Sequence, residues 1–179
     1  PLDSIKLVRR ILRVKTKVYP MSETPTDLMA FYPKGRCRVG ELSVDDMPIM
    51  PKHLMLAPLV KPAEVCIEAI KKADIIILGP GSFLTSVVPP LLIRDIAKTV
   101  CNSPAKCIFV DNVVKEKSPA AEVPLDDKLR WIEENVGCKP VDCVLSQDPQ
   151  IHSELVSVIH QDLASDSVKH HHDKKKLID

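Results

Sequence analysis

Residues 73–86 read ADIIILGPGSFLTS and contain the pattern that best indicates the fold class of the chain. Ile75 to Leu78 form a short apolar run, mostly of β-branched residues, which predicts a β-strand buried on both faces. Gly79-Pro80-Gly81 follows directly and predicts a sharp turn, because glycines accept backbone angles that other residues avoid. A strand that ends in such a turn is typical of the parallel sheet of an α/β protein.

The turn carries groups that suit an anion. If a helix begins after it, the backbone N–H groups of Gly81 and Ser82 point above the sheet, beside the hydroxyls of Thr85 and Ser86. Phosphate is favoured there by the N–H groups and by the helix dipole. The alternative is that Gly79 and Gly81 serve the turn sterically and bind nothing. The stretch is neither a Walker loop nor a dinucleotide-binding fingerprint.

Helical and strand patterns alternate along the rest of the chain. Apolar residues at helical spacing predict helices, and short apolar or alternating runs predict strands. The predicted helices cover 4–12, 62–72, 93–100 and 125–136. The predicted strands cover 13–19, 75–78, 105–110, 141–145 and 156–159, with a hairpin over 28–42 and with a helix as the alternative for 156–159. This order predicts an α/β fold with a Rossmann-like, three-layer parallel sheet covered on both faces, a small antiparallel hairpin and one domain over residues 1–179.

The composition argues against several classes of protein. A net charge of +1 predicts no general attraction to nucleic acid or to anionic membranes, and 3% aromatic residues leave few platforms for stacking bases. No apolar run approaches the roughly 20 residues of a membrane span, so we expect a cytoplasmic protein. The six cysteines form no C-x-x-C pair, which predicts reduced thiols rather than disulfides or a zinc site. They are Cys37, Cys66, Cys101, Cys107, Cys138 and Cys143.

Two further polar segments are candidates for ligand contact. Asn112 follows the predicted strand 105–110, and the carboxyl ends of parallel strands carry the ligand sites of α/β proteins. The alternative is that Asn112 only organises the following turn. The C-terminal run His170–His172, with Asp173 and three lysines after it, is explained most simply as a solvated surface. A basic segment that closes over bound phosphate is the more specific alternative.

The turn and its surroundings resemble the signature of the YvcK/CofD-like family. The resemblance spans nearly the whole chain. It rests on DIIILGPGSFLTS at 74–86, PMSE at 20–23, TDLMA at 26–30, GE at 40–41, IFVDN at 108–112, LDDKL at 125–129 and the pair His172-Asp173. The family comprises bacterial gluconeogenesis factors and the 2-phospho-L-lactate transferases of deazaflavin cofactor synthesis. The gluconeogenesis-factor branch is the more similar one.

The sequence departs from the family pattern at two points. Members open with a strand and a Gly-Gly-Gly-Thr-Gly turn, which has no counterpart here. The resemblance therefore implies the C-terminal part of a protein of about 300 residues, which is more than one average domain. Members also carry Arg before the His-Asp pair, where this chain has His171. An imidazole holds phosphate less firmly than a bidentate guanidinium does.

The resemblance implies a nucleotide-sugar-binding regulatory protein rather than an enzyme. Its ligand would be a UDP-sugar, and its roles would lie in carbon metabolism and in the control of cell shape or envelope. The expected ligand-binding residues are Gly79, Gly81, Ser82, Thr85, Ser86, Asn112, His171, His172 and Asp173. No catalytic residue, no metal ligand and no certain cofactor is assigned. A homodimer is compatible with this interpretation.

Two alternatives stay open. One is a CofD-type transferase that moves a phospholactyl-type group from a guanylylated donor to a deazaflavin alcohol. That reaction needs Mg²⁺, whose carboxylate ligands would come largely from the part of family members that has no counterpart here. Asp74 and Asp111 are candidates in this chain, although an Asp at the end of a strand more often forms a turn. The other is a scaffold or degenerate paralogue that binds nothing tightly, which His171 favours slightly.

Overall fold

A computed structural model of the chain describes residues 1–164 and Lys176. The α-helices are α1 (Leu2–Ile11), α2 (Glu41–Asp45), α3 (Glu64–Lys71), α4 (Arg94–Cys101) and α5 (Leu125–Val136). The strands are β1 (Asp27–Phe31), β2 (Cys37–Val39), β3 (His53–Ala57), β4 (Ile75–Leu78), β5 (Lys106–Val110), β6 (Cys143–Ser146) and β7 (Ser157–His160). Predicted site residues His171, His172 and Asp173 lie outside the described residues.

The larger sheet is parallel and has the strand order β4-β5-β6-β7. Helix α4 connects β4 to β5, and α5 connects β5 to β6. Right-handed crossovers between strands that are added in one direction place their helices on the same face of the sheet. That face carries Cys107, Phe109 and Val144, all of which are at most 4% exposed. The predicted α/β fold with a parallel sheet is therefore confirmed.

Only one face of this sheet is closed by the described residues. Strand β4 is an edge strand, and Ile75 and Ile77 are 57% and 60% exposed. The prediction that this strand is buried on both faces is therefore wrong for residues 1–164, and a second covering layer is not formed there. The physical reason is the one-directional strand order, which sends both connecting helices to the other face.

The smaller sheet is antiparallel and has the strand order β2-β1-β3. It confirms the hairpin predicted over 28–42 and adds β3, which no sequence pattern indicated. The strand predicted over 13–19 is wrong: within residues 1–164 this segment pairs with no strand. Instead, the Arg9 guanidinium donates to the carbonyl oxygens of Thr16 (2.6 Å) and Lys15 (3.1 Å). Alternation alone does not make a strand when no neighbour offers a ladder.

One hydrophobic core joins the two sheets. Leu28 and Leu54 of the small sheet belong to the same buried cluster as Phe83, Phe109 and Val144. The Phe83 ring packs edge-on against Phe109, with 6.3 Å between ring centroids. Among the described residues, no helix is long and apolar enough to cross a bilayer.

The prediction of reduced cysteines is wrong at one pair. Cys101 and Cys138 form a disulfide between the C-terminal ends of α4 and α5, with 6.4 Å between their Cα atoms. Their 37-residue separation carries no local signal. They meet because both helices cover the same face of the sheet. Gly137, which the sequence predicts as the stop of α5, adopts the left-handed conformation there (φ 83°). The other four cysteines are free.

Candidate functional site

The turn after β4 needs glycine because it approaches the end of β5 closely. Gly79 has a φ of 89°, and a Cβ there would lie 2.9 Å from the Val110 carbonyl oxygen. At Gly81 a Cβ would lie 3.1 Å from the Ser86 Cβ. Contacts this short are repulsive, so side chains at these positions would push the turn off the sheet. Gly79 and Gly81 therefore serve the turn sterically, as the alternative interpretation of the sequence states.

Asn112 fastens the turn to the neighbouring strand end. The Gly81 N–H donates to Asn112 Oδ1 (3.1 Å), and Asn112 Nδ2 donates to the Gly81 carbonyl oxygen (3.0 Å). The side-chain amide thus imitates a strand partner and satisfies both backbone groups of Gly81. Because Asn112 lies two residues after the end of β5, this pair of bonds fixes the distance between the turn and the carboxyl end of β5.

The hydroxyls of the turn are held by a carboxylate from α2. Ser82 Oγ donates to Asp45 Oδ1 (3.0 Å) and Thr85 Oγ1 donates to Asp45 Oδ2 (2.9 Å), so each carboxylate oxygen accepts one bond. Thr85 is 7% exposed, whereas Ser86 is exposed. No sequence pattern indicates Asp45, which lies 37 residues before Ser82. This contact ties the turn to the small sheet, since α2 follows β2.

The helix predicted to begin after the turn is only one turn long. Residues Phe83–Val87 form a single wide helical turn, and its first amide, the Phe83 N–H, donates to Glu116 Oε2 (3.1 Å). The same oxygen accepts a bond from Ser118 Oγ (2.7 Å). The Gly81 and Phe83 amides are thus used within the chain. A role of the turn residues in phosphate binding stays a prediction.

A cavity of about 620 Å³ opens beside the turn, at the carboxyl ends of β5 and β6 and the start of α5. Of the predicted site residues in the described part of the chain, only Asn112 lines it. The polar residues of its wall are Asp111, Asn112, Lys115, Glu116, Glu122, Lys128, Gln147 and Asp148. Ligand sites of α/β proteins lie at this edge of the sheet. The cavity, rather than the turn itself, is therefore the candidate binding site.

Lys128 is the cation of the cavity that is not neutralised. Its Nζ lies 5.9 Å from the centroid of the Phe83 ring, and within residues 1–164 and Lys176 it forms no ion pair. The other lysine of the wall, Lys115, is paired with Glu122. A half-buried ammonium over an aromatic ring keeps its charge available to an anionic ligand.

The acceptors of the wall complement this charge. Asp111 Oδ2 accepts a bond from the buried Ser146 hydroxyl (3.3 Å). Gln147 Nε2 donates to the Val113 carbonyl oxygen (3.0 Å), while Gln147 Oε1 is buried and has no donor among the described residues. Buried acceptors normally find a donor, so this oxygen suits a ligand hydroxyl or a water. Carboxylates and amides together favour a ligand rich in hydroxyls.

The loop that closes the cavity is anchored to the start of α5. Asp126 accepts bonds from the Ser153 hydroxyl and, through Oδ2, from the Glu154 N–H (3.1 Å). The Ser153 bond is the main cause that lowers the pKa of Asp126 below its ordinary 3.8, and the Glu154 bond adds to it. Residues 147–151, which include Gln147 and Asp148, lie between β6 and this anchor.

The carboxyl groups considered for Mg²⁺ do not form a ligand set. Asp74 precedes β4 and Asp111 follows β5, and these strands run parallel, so the two lie at opposite ends of the sheet. Asp74 and Asp111 therefore cannot hold one ion together. Among the described residues there is no group of three or more His, Cys, Asp or Glu side chains arranged to hold a metal ion.

A comparison with protein-family models identifies the family of this chain. The model of the CofD family, described as 2-phospho-L-lactate transferase CofD, matches residues 1–179. This chain belongs to the CofD family. The resemblance seen in the sequence is therefore confirmed over its whole length, and the cavity lies within the matched CofD domain.

Proteins similar to this chain carry the name gluconeogenesis factor. A Vibrio cholerae protein that bears it provisionally is 43% identical over 181 residues, covering 99% of this chain and 60% of that protein. A Pasteurella multocida protein, also provisionally named, is 38% identical over 180 residues and is covered to 58%. The Bacillus subtilis gluconeogenesis factor is 30% identical over 147 residues. The chain thus spans about three fifths of the length of the first two relatives.

A crystal structure has the same fold. A member of the UPF0052 family from Bacillus halodurans superposes with a TM-score of 0.84 at 27% identity. The match covers 98% of this chain and 65% of that one. The arrangement of a four-stranded parallel sheet with a small antiparallel sheet is therefore shared by a UPF0052-family chain that extends beyond the matched part.

Proposed function

We propose that this CofD-family chain forms the ligand-binding part of a cytoplasmic regulatory protein of the gluconeogenesis-factor type, whose ligand is a nucleotide sugar such as a UDP-sugar. Its role would lie in carbon metabolism and in the control of cell shape or envelope. The observation that carries the proposal is the cavity of about 620 Å³ with Lys128 on its wall. This volume is in the range of about 300–1,000 Å³ that small-molecule sites occupy.

The two kinds of group in the wall suit the two parts of a nucleotide sugar. The Lys128 ammonium complements the diphosphate. Carboxylates at Asp111 and Asp148 and the unpartnered Gln147 Oε1 accept bonds from sugar hydroxyls. Four carboxyl groups line the wall against two lysines. This balance favours a hydroxyl-rich ligand over free phosphate.

Calorimetric titration of the full chain with UDP-N-acetylglucosamine tests the proposal. We expect saturable binding, and we expect Lys128→Ala to weaken it about tenfold or more, since a charge-assisted bond to phosphate is lost. The matched control is Lys61→Ala, which removes an exposed lysine outside the cavity and should leave the affinity unchanged. Absence of heat and of any thermal shift at millimolar ligand would refute the proposal, as would equal effects of the two variants.

The second candidate is a CofD-type transferase, which the description of the matched family favours. In that case the same cavity would hold the guanylylated donor or the deazaflavin alcohol, with Mg²⁺ supplied by groups other than an Asp74–Asp111 pair. Incubation of the full chain with a deazaflavin alcohol, a GTP-derived phospholactyl donor and Mg²⁺ decides it. Product formation supports the transferase, whereas its absence beside an active CofD control supports the regulatory protein.

A further inference from the structure

Two histidine side chains meet at the carboxyl edge of the parallel sheet. His152 lies in the segment between β6 and β7, and His160 is the last residue of β7. Their rings meet edge-on, with 5.9 Å between the ring centroids and 77° between the ring planes. Both side chains are exposed, and neither forms a hydrogen bond or an ion pair with any of the described residues. The nitrogen atoms of both rings are therefore accessible to a ligand from solution.

The backbone at both histidines is held by neighbouring elements. His160 lies beside Ser146 of β6, and the amide that follows His160 donates to the Ser146 carbonyl oxygen (3.0 Å). His152 directly precedes Ser153, whose hydroxyl donates to Asp126 at the start of α5. Groups that are already in place lose less conformational entropy when they bind a common ligand. The two imidazoles are thus presented together by the fold.

The separation of the rings fits one metal ion between them. A Zn–N bond is about 2.0–2.1 Å long, so the centroid of a coordinated imidazole lies about 3.2 Å from the ion. Two imidazoles at a tetrahedral angle then have centroids about 5.2 Å apart. The observed separation is 5.9 Å, and small rotations of two exposed side chains are enough to close the difference.

We propose that His152 and His160 form a binding site for Zn²⁺. Imidazole nitrogen suits zinc and the late first-row divalent metals, whereas Mg²⁺ and Ca²⁺ prefer oxygen ligands. The described residues add no third His, Cys, Asp or Glu to the pair, so water takes the remaining positions on the ion. This ion is distinct from the Mg²⁺ that the transferase alternative requires.

A bound ion would join the loop of the cavity wall to the sheet. Residues 147–151 contribute Gln147 and Asp148 to that wall, and His152 follows them directly. Coordination by His152 and His160 links this segment to the end of β7. The amides of residues 147–156 should therefore exchange with solvent more slowly when Zn²⁺ is bound, because the segment opens less often.

Modification of the full chain by diethyl pyrocarbonate, read at each histidine by tandem mass spectrometry, tests the site. The probe is Zn²⁺ alone at about pH 7.5, where neutral imidazole is available to bind metal. We expect Zn²⁺ to slow the modification of His152 and His160 and to leave that of His53, an exposed residue of β3, unchanged. Mg²⁺ at the same concentration should protect none of them. Trypsin cleaves after Lys169, so histidines 170–172 are read on a separate peptide.

Single substitutions distinguish one shared site from two independent histidines. His160→Ala should raise the Zn²⁺ concentration that half-protects His152 about tenfold or more, because the second imidazole of a shared site binds at a high effective concentration. His53→Ala is the matched control and should leave the protection of His152 and His160 unchanged. Thermal unfolding verifies that both variants fold.

Three results would overturn the zinc site: protection of neither histidine, equal protection of His53, or protection of His152 that His160→Ala does not weaken. Hydrogen exchange provides a second readout. Zn²⁺ should slow exchange over residues 147–156 in the parent protein but not in His160→Ala, and equal slowing in both would also overturn the site. None of these measurements involves a nucleotide sugar, so failure of the zinc site and failure of the proposed function are distinguishable.

Discussion

Gly79 is the residue at which the turn tolerates least change. We expect Gly79→Ala to lower the free energy of unfolding by about 2 kcal/mol or more, because the alanine would be held at positive φ with its Cβ against the Val110 carbonyl oxygen. Gly35→Ala is the matched control: its φ is also positive (70°), but no atom lies within 4 Å of the added Cβ. It should cost about 1 kcal/mol, the penalty of the backbone angle alone. Urea unfolding at 25 °C measures both, and equal losses would contradict the steric argument.

For single residues, the sequence predicts the local backbone geometry but not the hydrogen-bond partners that lie far away in the chain. The sequence predicts the sharp turn at the two glycines and the place of Asn112 after a strand, because turn chemistry and strand ends have local signals, whereas their role in ligand binding stays a prediction. Asp45 and Glu116 hold the turn from 37 and 33 residues away. Their roles depend on how α2 and the loop after β5 pack, which no spacing rule contains. For Lys128, likewise, the sequence indicates only a charged residue within a predicted helix.

The start of α5 is an element whose stability depends on pH. The folded pKa of Asp126 is lowered from 3.8, chiefly by the Ser153 hydroxyl. The ionised carboxylate therefore stabilises the fold above about pH 4, and this contribution is lost as the pH falls through the lowered pKa. We expect Ser153→Ala to lose stability at pH 7 and to differ less from the parent protein at low pH. Urea unfolding at several pH values from 2 to 7 measures this.

Ser103→Ala is the control for this prediction. The Ser103 hydroxyl accepts the Ala105 N–H (3.1 Å), as the Ser153 hydroxyl accepts the Leu155 N–H (3.0 Å), but Ser103 bonds no carboxylate. Its loss should therefore cost the same stability at every pH. A pH-independent loss for Ser153→Ala as well would show that the bond to Asp126 contributes nothing.

The disulfide joins two helices that the sequence predicts correctly as separate elements. In the chain-entropy account, a bridge across 37 residues stabilises the fold by about 4 kcal/mol. We expect dithiothreitol to lower the Tm of the parent protein, and Cys138→Ser to lower it equally and to be insensitive to reductant. Cys37→Ser, which removes a free thiol from β2, should keep the response to reductant. A parent Tm that reductant does not change would contradict the stabilising role.

The element order of the whole molecule follows from periodicity, but the burial of its faces does not. Apolar runs predict β4 to β7 and the helices between them, because the periods of strand and helix are written in the residues. The same runs predict a sheet covered on both sides, which the described residues do not provide. The sequence indicates which residues are apolar enough to be buried. The direction of the crossovers decides which of these residues are covered by helices of this chain. The strand predicted over 13–19 is wrong for a different reason. Its residues alternate as they do in a strand, but no partner strand exists within the described residues.

The two sheets should unfold as one unit, because one core cluster contains residues of both. Trp131, the single tryptophan, reports on their junction: it packs on Phe83 (5.8 Å between centroids) and donates to the Pro51 carbonyl oxygen (2.8 Å) before β3. We therefore expect tryptophan fluorescence and far-UV circular dichroism to give the same urea midpoint.

Asn135→Ala removes the acceptor of the Leu54 N–H (3.0 Å). It should lower both midpoints together, which corresponds to a loss of about 1–2 kcal/mol in the free energy of unfolding. Asn102→Ala, at an exposed helix end, should change neither. If fluorescence changed before circular dichroism, the small sheet would detach first, and the shared core would not couple the two sheets.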